Sequence, residues 1–350
     1  MSYTNGLDKP SDYFTTKLYA GNDSGQSITM DFAPNWVWIK DRGGADPHGA
    51  YDSVRGALKQ IRVNLTNAER TLAGSLTSFN SDGFTVGNDD GTNDNGHNFV
   101  SWNWKAGTSF TNDASATGIG TVDSVGSFNN DAGFSIVKFT ADGNNLTAKH
   151  GLSSIPKMII TKNLSISKDW SVYHSSLGAG KSIFLNTTAV ADADNTYWNN
   201  TAPTSTTLSY GTWSGNNNGN EIIAYCFEEK QGYSKFGSYV GNGNNDGTFI
   251  YTGFKPALVI AKSTTSANDW VIFDNKRDTF NVTQHKLYPS ASDGEATSEN
   301  DLDFLSNGFK LRQSGVGTNT FIYMAIASNP FVTSTGVPAT ARWLCSYLLT

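Results

Sequence analysis

Short apolar runs alternate along the whole chain with turns of Gly, Asn, Asp and Ser. A spacing of about ten residues between turns predicts antiparallel β-sandwich structure. Three runs are near copies: "PNWVWIKD" from Pro34, "PKMIITKN" from Pro156 and "PALVIAKS" from Pro256, each with a lysine six residues after the proline. The runs are nearly continuous rather than alternating, as in central strands covered on both faces. The proline suits a strand entry, where its missing N–H leaves no ladder bond unmade. Turns such as "DDGTND", "NNGNE" and "GNGNNDG" supply residues that tolerate positive φ. No segment of ten or more residues shows a capped helical period. The nearest, "SVRGALKQIRVN" from Ser53, reads equally as the start of a strand.

Other positions keep step with the prolines. Fourteen residues on stand His48, Trp170 and Trp270, followed by Tyr51, Tyr173 and Phe273, then Asp52, His174 and Asp274. An aromatic and a Gly-containing turn precede each copy ("LYAGND", "KFTADGN", "SYVGNGN"), and an aromatic-rich run closes each ("FVSWNW", "IIAYCF", "FIYMAI"). Self-similarity of this kind decides architecture before local propensity does. The expected fold is all-β, three tandem antiparallel β-sandwich repeats of jelly-roll or concanavalin-like type. They span residues 16–107, 132–230 and 231–331. Residues 1–15 read as an N-terminal docking segment, 108–131 as a linker or edge hairpin, and 332–350 as a C-terminal tail. The second and third copies, with almost no spacer, are expected to pack as a rigid pair.

Composition narrows the function. Aromatics reach 12% and charged residues only 16%, which favours strands over helices. A net charge of -6 without a basic block excludes a nucleic-acid footprint. Cys226 and Cys345 are too few for a disulfide framework. The N-terminus has no signal-peptide pattern, and no apolar run approaches the roughly 20 residues of a membrane span, so no membrane insertion is expected.

Candidate chemistry is sparse. The five histidines occupy no common repeat position, and His48 and His174 align with Trp or Asp in other copies, so a triad is not expected. Glu228 and Glu229 are adjacent, and strand neighbours point to opposite faces, which argues against a shared glycosidase cleft. "GNDDGTNDNGHN", Gly87 to Asn98, resembles a calcium loop in its alternating Asp90, Thr92 and Asp94 but lacks the final Glu and flanking helices, and reads as a polar hairpin loop. Lys40, Lys162 and Lys262 are expected to snorkel over a sheet edge or to pair with Asp52 and Asp274. The expectation is therefore no enzyme, no catalytic residue, no metal and no cofactor. Aromatics outside the repeat pattern are the better surface candidates for a glycan or receptor: Tyr197 and Trp198 in "NTYWNNTAPTS" and Trp213 in "GTWSGNNN".

The segments "SITMDFAPNWVWIKDR", "SLTSFNSDGFTVG", "AGFSIVKFTADGN", "WSVYHSSLG", "IAYCFEEKQGYSKFGSYVGNGNNDGTFIYTGFKPALVIAK", "DFLSNGFKLR" and "NPFVTSTGVPATAR" resemble repeated, tail-fibre-like modules of marine bacteriophage virion proteins. The resemblance runs from Leu18 to Arg342. It implies a structural protein on the tail or capsid exterior, assembled in the host cytoplasm beside other virion proteins. A tail fibre or adhesin recognising a host-surface glycan or receptor is the leading expectation. A capsid decoration or head fibre, and then a glycan depolymerase, are the alternatives. Fibres and adhesins are commonly homotrimers, so a homo-oligomer, trimeric by preference, is expected.

Overall fold

A computed structural model describes residues 7–330 apart from 213–214 and 298–299. Among the described residues the fold is all-β and antiparallel. Its α-helices are two four-residue turns, Asp90–Asn93 and Ala114–Thr117, and "SVRGALKQIRVN" gives the strand Lys59–Arg62.

Three large sheets share one strand order. In the first, Phe14–Ala20, Asn98–Trp104, Trp36–Asp41 and Gly49–Asp52 lie side by side. In the second the order is Phe134–Thr140, Glu221–Phe227, Met158–Asn163 and Ser171–His174. In the third it is Ser234–Val240, Thr320–Pro330, Phe254–Ser263 and Val271–Asp274. Register carries the match to single residues: Trp38 lies opposite Trp102, Ile160 opposite Tyr225, and Ile260 opposite Met324. A smaller sheet of two or three strands covers the outer face of each, lighter than half of an eight-stranded jelly roll. Residues 108–131 take the edge-hairpin form rather than that of a linker: Thr108–Asn112 and Ser124–Asn129 form a hairpin that extends the second sheet.

Side chains alternate between two cores because strand neighbours point to opposite faces. Val37 and Ile39, Ile159, and Val259 and Ala261 face the outer sheets and form three separate clusters. Trp36 and Trp38, Met158 and Ile160, and Leu258 and Ile260 face the other way into one central cluster shared by all three sandwiches. Trp36 stacks on Trp104 and on Tyr225 of the second sandwich, each at 4.4 Å between ring centres. The expected pairing of the second and third copies is thus replaced by a three-way packing. The N-terminal segment joins it, with Leu7 and Phe14 in the central cluster and Tyr13 edge-on to Tyr233 at 6.1 Å. Residues 1–6 and the expected tail 332–350 lie outside the described residues.

Polar contacts close the packing into a ring. The backbone N–H of Glu69 in the first sandwich donates to Leu164 in the second, Ala191 in the second to Thr264 in the third, and Glu295 in the third to Arg42 in the first. The indole of Trp170 reaches back to the Arg62 carbonyl and that of Trp270 to the Phe184 carbonyl, at 2.9 and 2.8 Å. Their counterpart His48 faces the Tyr288 backbone of the third sandwich. Lys162 Nζ donates across to the Thr66 carbonyl and Lys262 Nζ to the Thr188 carbonyl, while Lys40 donates to Asp41 and Gly44. The lysines are therefore buried carbonyl donors, not snorkelling edge residues. Burial lowers the pKa of each to about 8.

Asp52 and Asp274 pair with arginines instead, Arg55 at 2.5 Å and Arg277 at 2.6 Å. Each also accepts a hydrogen bond from a neighbouring sandwich, Asp52 from the Tyr225 hydroxyl at 2.7 Å and Asp274 from the Trp102 indole at 3.1 Å. At the third seam the corresponding aromatic is Met324, which cannot donate, and the Asp/Arg pair is replaced by His174 and Leu177. His174 meets that seam neutrally, its Nε2 at 3.2 Å from the Tyr323 carbonyl. Removing one partner of a buried ion pair strands the other charge. Asp52→Ala should therefore lose about 3 to 5 kcal/mol of unfolding free energy, and Tyr225→Phe, which removes one bond to a charged group, about 1.5 to 3 kcal/mol. Urea unfolding of both variants checks the order.

Candidate functional site

The surface sites expected from sequence are redistributed. Tyr197 and Trp198 are buried, at 8% and 1% exposure. Trp198 packs edge-on against Tyr173 and Tyr197 against Phe184, at 5.8 and 5.4 Å. They plug the space between the two sheets of the second sandwich, because a polar loop still folds its large aromatics into an open end of a sandwich where burial is favourable. They cannot stack on an external sugar. Trp213 lies outside the described residues.

The titratable groups are held in structural roles. Glu228 and Glu229 lie just beyond the strand Glu221–Phe227 and pair with Lys230 and Lys235, each at 2.6 Å. Three histidines share one hydrogen-bonding scheme. At Nδ1, His48 accepts from the Trp38 indole, His150 from the Leu152 N–H and His174 from the Ser176 N–H. A carbonyl, Thr204 or Tyr323, faces Nε2 in the latter two. Only a neutral, Nε2-protonated ring fits that arrangement, since protonation would set an N–H against a donor. Burial lowers His150 and His174 to about 4 and His48 well below its ordinary value.

The loop that resembled a calcium site carries the short helix Asp90–Asn93, and Asn93 ties it to the turn after the first strand. Asp23, Asp90 and Asp94 bring their carboxylates within 4.8 Å of one another there, with Asp23 and Asp90 exposed. His97 beside them bonds Asp41 at 2.7 Å, and that bond raises its pKa.

The third sandwich differs from the others at its open end. A cleft of about 290 Å³ enters between its two sheets. Its walls include Tyr239, Phe273, Phe321 and Tyr288, and its polar groups include Asp269, Lys286, Asp301 and Gln313. Strand register shows why it is open. Ala50 lies opposite Ile61, Val172 opposite Ile183, and Ile272 opposite Leu287, which places Gln60, Ser182 and Lys286 at one position and Arg62, Phe184 and Tyr288 at another. In the second sandwich Tyr197 and Trp198 cover Phe184 and Tyr173, and the counterparts of those two, Tyr288 and Phe273, line the cleft in the third. In the first, the buried Gln60 donates to the hydroxyl of the buried Tyr51 at 2.6 Å. Lys286 takes a different partner, Asp301, at 2.9 Å. This site has no obvious signature in the sequence, since "HKLYPS" shares little wording with "LKQIRV" or "KSIFLN"; the change shows only when the three are aligned by their central Ile or Leu.

Residues 9–330 match a family profile described as Domain of unknown function (DUF7483). The chain belongs to this family. The matched span takes in all three sandwiches, so the DUF7483 unit coincides with the closed ring rather than with one sandwich. No curated protein and no solved structure matches the chain.

The neutral histidines give a signed pH dependence. His150 and His174 have folded pKa values of about 4, below the ordinary 6.5, so the unfolded chain takes up their protons first as pH falls. The stability they contribute is complete above pH 6.5 and is lost as pH falls to 4, by up to about 3 kcal/mol for each residue. Melting temperature measured from pH 7 to 4 should fall, and His174→Gln should flatten that fall; a wild-type profile unchanged over this window would contradict the arrangement.

Proposed function

We propose that the protein is a structural component of a phage virion exterior, a tail fibre or adhesin that contributes to host-surface recognition. The observation that carries the binding part of this reading is the cleft of about 290 Å³ in the third sandwich, whose counterpart space in the second is filled by Tyr197 and Trp198. The phage setting rests on the resemblance of the repeated segments to virion modules. Surface chemistry adds support: Phe249, Tyr251 and Phe280, the exposed aromatics among the described residues, all belong to the third sandwich, at 44%, 53% and 84% exposure.

The ring also bears on assembly. Elongated β-domains trimerise where each must bury one face, and here the three inner faces bury one another within one chain. We read the chain as a single-chain counterpart of a trimer, joined to other virion proteins.

Purified protein added to host cells before infection should slow adsorption of the particles, and antibody labelling of intact particles should decorate the tail. Labelling confined to the capsid, with adsorption unaffected by the purified protein, would overturn the adhesin reading.

A further inference from the structure

We propose that the outer edge of the first sheet, the strand Phe14–Ala20, takes residues 342–349 of the same chain as an added antiparallel strand. The contact ties the third sandwich to the first, across the seam of the ring that no described stretch of chain bridges covalently. It goes beyond the adhesin reading and stands whether or not that reading holds.

The three large sheets carry equivalent strands at their outer side, Phe14–Ala20, Phe134–Thr140 and Ser234–Val240. In the second sheet this strand is covered. Ser124–Asn129 runs antiparallel along it, with Ser124 opposite Phe139 and Phe128 opposite Ser135, and the Thr121 N–H donates to the Thr147 carbonyl of the outer sheet. The cover shows in burial. Ser135, Val137 and Phe139 are buried, whereas their counterparts Thr15, Lys17 and Tyr19 are only half-buried, and Leu18 is 40% exposed. Among the described residues no strand pairs with the outer side of Phe14–Ala20 or of Ser234–Val240. A strand edge of this kind presents free backbone N–H and C=O groups, a template for one more strand.

The chain itself supplies the occupant. The cover of the second sheet comes from the segment that leaves the closing strand of the preceding sandwich: Asn98–Trp104 is followed directly by the hairpin of Thr108–Asn112 and Ser124–Asn129. The closing strand of the third sandwich, Thr320–Pro330, is followed in the sequence by residues 331–350, outside the described residues. In the ring the first sandwich comes next, since the Glu295 N–H donates to the Arg42 carbonyl. Thr320–Pro330 also ends beside the start of the first strand. It runs along the turn Pro10–Asp12, its Ala327 N–H donates to the Tyr233 carbonyl, and Tyr233 meets Tyr13 edge-on.

Residues 342–349, "RWLCSYLL", contain no Gly or Pro and are rich in aromatic and apolar residues, a composition suited to a strand. Their length matches the seven residues of Phe14–Ala20. Residues 331–341 lead up to them and, extended, span up to about 35 Å. The free side of Ser234–Val240 is the poorer place. Thr320–Pro330 already pairs with the other side of that strand, so chain leaving Pro330 would have to pass over Ser234–Val240 to reach it.

Cys345 lies within this segment and allows a cross-linking test on the full chain. Thr15→Cys, Lys17→Cys and Leu18→Cys, each oxidised with copper phenanthroline, should give a disulfide to Cys345 within one chain for at least one variant, because paired strands bring Cα atoms within disulfide reach. The other cysteine, Cys226, is buried and does not compete. Ser238→Cys, on the other open edge, should stay unlinked. Hydrogen exchange reports the same contact: deleting 331–350 should speed exchange at the outward-facing amides of Phe14–Ala20 by about tenfold or more and leave Phe134–Thr140 unchanged. The cross-link keeps the test decisive if the shortened chain fails to fold. No disulfide in any of the three variants, a disulfide between two chains, linkage at Ser238→Cys in place of the first strand, or exchange at Phe14–Ala20 that ignores the deletion would overturn the proposal.

Discussion

The burial of one face from each of three sheets in a single central core is the constraint on which the rest of the structure depends. Strands such as Trp36–Asp41 are hydrophobic on both sides, and a two-layer sandwich with a light outer sheet buries only one of them. An isolated unit would leave Trp36, Trp38, Trp102 and Trp104 in water, a large apolar area whose burial is the main favourable term in folding. Three units around one core remove the problem without a partner chain. This also explains why the span matched by the DUF7483 family takes in the whole ring.

A shared core of this kind imposes a second requirement, that polar groups at the seams be satisfied, because unpaired buried groups are costly. The chain meets it with different chemistry at each seam. Tyr225 and Trp102 donate to Asp52 and Asp274, each held by an arginine, and the remaining seam, lacking an aromatic donor at Met324, uses a neutral histidine. The exchange of His174 for Asp52 and Asp274, and of Leu177 for Arg55 and Arg277, is one coupled change. It follows from the partner across the seam. The same freedom to vary outside the ring contacts left the intersheet space plugged in one sandwich and open in another.

The strand pattern was legible because its signals are local. The proline entry, the two-sided apolar run and the Gly/Asn turns each reflect a backbone or burial requirement met within a few residues. Lys40, Lys162 and Lys262 stood out for the same reason, but their role did not: the Thr66 and Thr188 carbonyls that Lys162 and Lys262 reach lie about a hundred and about seventy residues away in the chain. The polar neighbours of Tyr197 and Trp198 suggest exposure, whereas the side chains fold under their own loop. The cleft of the third sandwich left no motif because its lining is drawn from segments spread from Tyr239 to Phe321.

Native-state hydrogen exchange on a chain carrying a conservative cavity in the first sandwich's half of the core, Trp38→Phe, tests the central claim most directly. If one core holds the ring, amides of the strands Trp36–Asp41, Met158–Asn163 and Phe254–Ser263 should lose protection together and by the same factor, since they open in one cooperative event. Loss confined to Trp36–Asp41, with the other two strands exchanging as in the wild type, would show three independent sandwiches and contradict the account.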